Sequence, residues 1–441
     1  MIVAVRAAPG GFDLEQQRYA LTPEAFDVHL QAYEPLLQHP LRSDPGGWRS
    51  VDSNALAPAL AASWDVAHDG RTYSVALKRG LRSAQGHELT AHDVQWSWER
   101  AFEMDAWGAR LATAAGVPGP EVVRVAHTYT IQFRLPEPNP LFPKLLAEPV
   151  PAVYDIEALQ PHCSAQDPWG EAWLRCHTAG FGAYALEPGP EPDEEVRLAA
   201  NLHYWQGSPA EKRVLLRAIP SPDGRAEALK RGSVDIAHDV PARQAKSLAS
   251  DAAVKVVQSP GQKRIALRLD PAFPPFDQAR LRRALEAAMA YEQLADEVFG
   301  DPAAKPTGAR QDQREARSLL REAGYAAGFR LGLALPQDSP DLKAVADLIQ
   351  LDVMRLGIKA VVEPMNPAVF SREKASRHLP AYLEEQLDVT GLLPPEQLEP
   401  LPEVHTLVLA APRLQFAARA SVQGFVRRPD GRPRYAELRK A

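Results

Sequence analysis

The feature that most constrains this fold is a strand–helix–strand run late in the chain. "FRLGLALP" (329–336) is a strand-like apolar run, and "IKAVVEPM" (358–365) is another. Between them, residues 340–356 form a helix that opens at Pro340 and stops at Gly357. Two strands joined by a helix of this length make a βαβ unit, which requires parallel pairing and a right-handed crossover. At least this part of the chain is therefore α/β.

The rest alternates in the same way. Residues 2–8 read as a strand. Residues 23–38 read as a helix, with Thr22 as N-cap, Pro23 at the first position and Phe26, Leu30 and Tyr33 at helical spacing. Residues 63–80 read as a hairpin around Asp69-Gly70, a two-residue turn signal. Residues 89–102 read as a helix opened by Thr90 and Asp93. A second block near 180 gives a hairpin, a strand at 213–220 and a helix capped by Ser221 or Asp223. A third block opens with "KRIALRL", followed by a helix over 278–299 capped by Asp277. With 441 residues, the length prior is two or three domains. In "HYWQGSP" (203–209), Tyr204 and Trp205 sit beside a turn, where such a pair most often anchors the turn on a core.

Catalytic motifs are missing. There is no Gly-x-Ser-x-Gly, P-loop, His-Glu-x-x-His or Gly-x-Gly-x-x-Gly, so no enzyme is expected, and no cofactor or metal. Asp93 beside His92 is better read as a cap than as part of a catalytic pair. Asp235, His238 and Asp239 in "VDIAHDV" are better read as a solvated strand end than as a metal cluster, since strand alternation separates 238 from 235 and 239. The net charge of −6, without Lys/Arg runs, gives no reason to expect nucleic acid. No stretch of 18 apolar residues suggests a membrane span. The N-terminus lacks signal-peptide features, so either the chain is cytosolic or a signal lies outside it. Cys163 and Cys176 are either two thiols or a disulfide stabilising by about 3 kcal/mol.

Several segments, taken in order, resemble the bacterial extracellular solute-binding proteins of family 5, the oligopeptide, dipeptide and nickel binders of ABC importers. Residues 56–101 carry Ala57, Pro58, Leu60, Ala61 and Trp64, then Asp69-Gly70, Leu77, Lys78 and Gly80, then Leu89, Thr90, Ala91, Asp93 and Val94. Gly180, Gly182 and Tyr184 match a Gly-x-Gly-x-Tyr strand, and "NLHYWQGSPA" matches an Asn-x-x-Tyr-Trp-x-Gly turn. "RAIPSPDGRAEALKRGSVDIA", "PPFDQARLRRALEAAMAYEQL", "ARSLLREAGY" and "GFVRRPDGRPRYAEL" resemble later segments.

The resemblance implies an α/β, two-lobed periplasmic-binding-protein-like fold of type II-like kind with an extra subdomain. The lobe I core would span 1–40, 175–262 and 411–441, the extra subdomain 41–174 and lobe II 263–410. It implies capture of a peptide-like or other small solute by hinge closure, delivery to an ABC permease, and a periplasmic or extracellular location. Arg264 and Arg268 lie on the crossover strand, where they either face a ligand carboxylate or lie on a solvated face. Tyr33, Asp388 and Glu384, with Glu385 beside it, complete the candidate ligand contacts.

After "HLPAYLEEQLDV" (378–389) the family pattern breaks. A Trp- and Asp-Pro-containing stretch and further helices are replaced by "TGLLPPEQLEPLPEV". Lobe II is thus expected to be shortened. Lost helices would expose apolar sheet, leaving a smaller lobe, a face covered by a partner or a second copy in a homodimer, or a relative that no longer binds the family's ligands. A cytosolic binding or interaction protein without a transport role is the alternative function.

Overall fold

The computed structural model describes all residues except 10, 16–21, 45–47, 188–194, 338 and 388–403. The βαβ unit forms as its pattern requires. Arg330–Pro336 and Lys359–Met365 pair in parallel, in register from Arg330↔Lys359 to Pro336↔Met365. The helix Pro340–Met354 crosses between them, with Ser339 Oγ accepting from the Leu342 N–H at 3.3 Å. Its Leu342, Val345, Ala346, Ile349 and Val353 are buried in the core of the second lobe. That stripe, at helical spacing, is what holds the helix on the sheet.

The two lobes share one strand, Val254–Leu269. Its first part pairs with Arg413–Arg419 in the first lobe. Its last part pairs with Ala381–Leu387 on one side and His405–Ala410 on the other, both in the second lobe. The register slips between Gln258 and Gln262, where the strand passes from one lobe to the other. A second passage runs through Ala411 and Pro412, which join His405–Ala410 to Arg413–Arg419. Away from the shared strand, the first-lobe sheet continues through Ile236–Ala237, Ile2–Val5, Arg213–Ala218, Glu195–Ala200 and Tyr184–Glu187. Ile2–Val5 is parallel to both of its neighbours, and the outer two strands form the expected hairpin.

A third body carries its own four-stranded antiparallel sheet, in the order Ala61–Val66, Thr72–Leu77, Thr130–Arg134, Val123–His127. Tyr73, Val75, Trp98, Phe133 and Phe142 meet in its core. The helix Ala91–Glu103 opens with the expected capping box: Asp93 Oδ2 accepts from the Thr90 N–H at 2.7 Å and the Thr90 hydroxyl at 2.8 Å. The same helix presents Arg100, fully buried, to Asp13 at 2.5 Å and to Glu15. This ties the chain just after the first strand to the third body. Tyr204 is buried and Trp205 packs against both the first-lobe core and the core of the third body, so the aromatic pair does anchor its turn.

Local chemistry corrects several boundaries. The helix expected over 23–38 ends at Ala32, and Tyr33 is extended. Pro35 disfavours helical backbone at Glu34, which stops propagation. The 278–299 helix splits into Ala279–Ala288, Tyr291–Gln293 and a π-turn Leu294–Val298. The break is held by Asp352, whose Oδ2 accepts from the Ala290 N–H at 2.9 Å. Its cap is Gln278 rather than Asp277, with no side-chain bond. The Asp69-Gly70 turn is longer than two residues, because the last strand pair is Val66↔Tyr73 and Asp69 Oδ1 caps the loop through the Arg71 and Thr72 N–H groups.

Candidate functional site

The C-terminal ends of parallel strands are where open α/β sheets form crevices. Here Ile2–Val5, Arg213–Ala218 and Ile236–Ala237 end together. Arg6 follows the first, Ile219 and Pro220 the second, His238 and Asp239 the third. Buried Arg225 fixes this convergence through four carbonyls. It donates to Ile219 at 2.8 Å, Pro220 at 2.9 Å, His238 at 3.0 Å and Asp239 at 3.0 Å. The helix Pro23–Ala32 starts at the same place, with Glu24 in its first turn 3.6 Å from Arg6.

The C-terminal tail supplies Arg432. Its guanidinium donates to His238 Nδ1 at 2.7 Å and to both Asp239 oxygens at 3.1 and 3.2 Å. Burial, then Arg432, holds His238 neutral with a pKa near 3. Burial works to raise the Asp239 carboxyl, but Arg432, with Arg6 and Arg225, outweighs it and keeps it well below the usual range. Asp239 stays 34% exposed and has a left-handed backbone, φ 50°. Burial raises Asp27 to about 6 despite Arg432 and Tyr435, whose hydroxyl donates to Asp27 at 2.5 Å. Among the described residues, Asp27 Oδ1 and His238 Nε2 are buried without a hydrogen-bond partner. Such atoms are uncommon in native interiors.

On the other side stands Lys263, at the start of the second-lobe part of the shared strand. Its ammonium donates to Asp341 at 2.8 Å and lies 3.6 Å from Glu385. Burial opposes its charge, but Glu385, Asp341 and, from the first lobe, Asp239 hold it protonated. Ser339 Oγ donates to Glu385 at 2.8 Å. The crevice thus sets fixed charges of both signs against each other across two lobes. It can orient a polar, charge-bearing solute. Among the described residues no group of three or more His, Cys, Asp or Glu is placed to hold a metal ion.

The structure sorts the residues singled out from sequence. Arg264 and Arg268 share a strand face, opposite Ile265, Leu267 and Leu269 in the core. Arg268 is buried, which removes the solvated-face reading for it: Nε donates to Glu384 at 2.6 Å, and Nη1 donates to Thr406. Glu384 also accepts from Lys374 at 2.7 Å, and these two cations hold it ionised against the penalty of burial. Glu385 instead turns toward Lys263. Tyr33 is buried away from this crevice, stacked on His29 and tilted against Tyr154, and its hydroxyl accepts from the Ala179 N–H at 3.4 Å. Asp388 lies outside the described residues. Cys163 and Cys176 are two separate thiols, half-buried and exposed. The solvated strand end expected at 235–239 is not what forms: His238 is buried because Arg432 arrives from the far end of the chain to satisfy it. Sequence reasoning missed Arg6, Glu24, Lys263 and Arg432. The available signal was charge directly after an apolar strand run, which would have found Arg6 alone.

Comparison with known proteins agrees with this architecture. The model for bacterial extracellular solute-binding proteins, family 5 (Middle), matches residues 55–390. The glutathione-binding protein GsiB of Salmonella choleraesuis (strain SC-B67) is 28% identical over 322 residues, covering 70% of this chain and 60% of that protein. The di/tripeptide-binding protein 3 of Pseudomonas aeruginosa (strain UCBPP-PA14) is 27% identical over 395 residues, covering 82% and 71%. The chain therefore spans about 60% of the length of the GsiB relatives it matches. Among solved structures, the periplasmic binding protein DppA of Helicobacter pylori with peptide STSA superposes with TM-score 0.82 at 17% identity, covering 100% of this chain and 98% of that one. The dipeptide-binding protein of Pseudoalteromonas sp. SM9913 with Met-Leu gives 0.80 at 18% identity, covering 100% of both chains. These likenesses give the two-lobed periplasmic-binding-protein fold. With the family model matching most of its length, the chain belongs to the bacterial extracellular solute-binding proteins of family 5, whose members are binding proteins of the periplasm or cell exterior.

Proposed function

We propose that this chain is the solute-binding component of an ABC importer, and that its interlobe crevice captures a small peptide-like solute by hinge closure. The observation that carries this reading is the placement of two opposite charges beside the strand passages at 258–262 and 411–412, Asp239 after a first-lobe strand and Lys263 at the start of the second-lobe part of the shared strand. A ligand with both an ammonium and a carboxylate would touch both lobes at once. Such contacts exist only when the lobes are closed, so they shift the hinge equilibrium. The names of the relatives, which bind glutathione and di- or tripeptides, support the same solute class.

The reading includes lobes divided at 1–40, 175–262 and 411–441 against 263–410, with 41–174 as the extra subdomain. It includes a permease at the membrane as partner, a periplasmic or extracellular location and no catalytic activity. A shortened lobe II also belongs to it, since the strands that end at Leu387 and start at His405 flank the shared strand with 17 residues of sequence between them. Arg264, Arg268, Glu384, Tyr33 and Asp388 remain ligand-contact candidates, behind Asp239 and Lys263.

Titration calorimetry with Met-Leu and glutathione tests the reading, with small-angle scattering for closure. Binding of at least one, with a smaller radius of gyration and at least about tenfold weaker affinity in Asp239→Asn and Lys263→Met, is the expected result. Binding of neither, or binding indifferent to both substitutions, would sink it.

A further inference from the structure

The first lobe contains a second cavity, separate from the interlobe crevice. It measures about 330 Å³, within the range of roughly 300–1,000 Å³ typical of small-molecule sites. It lies between the C-terminal end of the helix Pro23–Ala32, the Tyr204 turn, residues 144–149 of the third body and the tail at 428–437. Arg6, Glu24, Asp239 and Lys263 do not line it.

Its wall is charged in both signs. Glu34 and Glu148 face a space shared with Lys144, Arg428 and Arg434. Tyr204 donates to Glu34 Oε1 at 2.5 Å, and burial raises the Glu34 carboxyl although Tyr204, Arg434 and Arg428 favour its charge. Arg434 is held by Asp430 at 2.7 Å. Arg428 gives Nη2 to Glu437 at 2.5 Å, while its Nε is buried with no hydrogen-bond partner among the described residues. A carboxylate is the group that best suits two guanidiniums lining one space. The fixed charges of the wall nearly cancel, so a guest with net charge would bring an uncompensated charge into a confined site. A guest that carries both charges would not.

We propose that this cavity binds a small zwitterion of amino-acid size, its carboxylate toward the Arg428 and Arg434 guanidiniums and its ammonium toward Glu34 and Glu148. The site does not depend on the crevice reading. Native mass spectrometry of the full chain, mixed with the twenty proteinogenic L-amino acids at equal concentration, tests it. The same mixture is offered to Lys263→Met, in which the crevice is impaired, and to Glu34→Gln and Ser53→Trp. Ser53 is exposed at the cavity wall, so the bulky residue plugs the cavity without disturbing a core. One amino acid should be retained per chain by the unaltered protein and by Lys263→Met. Retention should drop at least about tenfold in Glu34→Gln and Ser53→Trp. The proposal is overturned if neither the unaltered protein nor Lys263→Met retains any amino acid at millimolar concentration. It is overturned equally if retention survives both cavity substitutions, or disappears in Lys263→Met, which would assign the guest to the crevice. Equal retention of N-acetylated amino-acid amides would overturn the zwitterion assignment.

Discussion

Asp239 adopts a left-handed backbone, φ 50°, which side chains other than glycine rarely take, though Asp is among the more tolerant. Arg225 holds that backbone by its carbonyl, and Arg432 holds the carboxylate. The strain is thus met by two arginines that are both also anchored on His238, one on its carbonyl and one on its ring. Arg100 shows the same logic in a structural role. It is the cation between buried Asp13 and Glu15, and Glu15 still sits near pKa 7 because burial outweighs Arg100. Arg100→Leu leaves two buried carboxylates unpaired, and chemical denaturation should show a loss of about 3–5 kcal/mol. His29 offers a pH test. Burial lowers it to about 4, while Nε2–H donates to the Pro149 carbonyl at 2.8 Å. A depressed histidine costs nothing above its unfolded pKa near 6.5, and stability is lost as pH falls from there to about 4. His29→Phe should be less stable than the unaltered chain at pH 7 by about 1–3 kcal/mol, for want of a donor to Pro149. That deficit should shrink by up to about 3 kcal/mol by pH 4, read from urea midpoints across the range. The residue-scale contrast with sequence is one of distance along the chain. Asp93 was readable because its partner is Thr90. Arg432 was not, because His238 is 194 residues away, and Tyr435 reaches Asp27 across 408.

At the scale of elements, periodicity and punctuation carried most of the reading. The βαβ unit, the Thr90 capping box and the hairpin strands were legible because each is decided within a few residues. The helix break at Met289 was not, since the cap that permits it comes from Asp352 on another helix. Gly180 and Gly182 were visible only as a motif, and the structure gives the reason for it. A Cβ on Gly182 would lie 2.4 Å from the Ala32 carbonyl carbon, and one on Gly180 would lie 2.3 Å from the Ala32 oxygen. The strand start must touch the end of the helix Pro23–Ala32, and the Gly182 N–H donates to the Ala32 carbonyl at 2.9 Å. Gly182→Ala forces backbone against backbone. Thermal unfolding should show a loss of about 1–3 kcal/mol or more. Gly207→Ala serves as the comparison for glycine loss where nothing stands within 4 Å, although its positive φ carries a cost of its own.

For the whole molecule, the cores decide cooperativity. The second lobe, the third body and the first-lobe sheet each bury a distinct hydrophobic cluster. Among the described residues, the second lobe connects to the rest through the shared strand, the 411–412 passage and polar contacts such as Lys246 to the Gly300 carbonyl at 3.1 Å and Arg413 to Asp301 at 3.3 Å. Scanning calorimetry of the ligand-free chain should therefore show more than one transition, with total enthalpy above the van't Hoff value. A crevice ligand that touches both lobes should draw the transitions together. A single two-state transition without ligand would contradict this independence.

The strand Val254–Leu269 also behaves like a reading frame. Odd positions from Ile265 to Leu269 feed the second-lobe core, while Arg268 answers Glu384 on the opposite face. A one-residue slip of this run against Ala381–Leu387 would transpose the two sets, sending leucines toward the charges and an arginine into the core. A two-residue slip would restore the parity. The second lobe's own pairing therefore keeps the frame, and the junction between Gln258 and Gln262, where the register already slips, is where the link between the lobes can change length without scrambling either core.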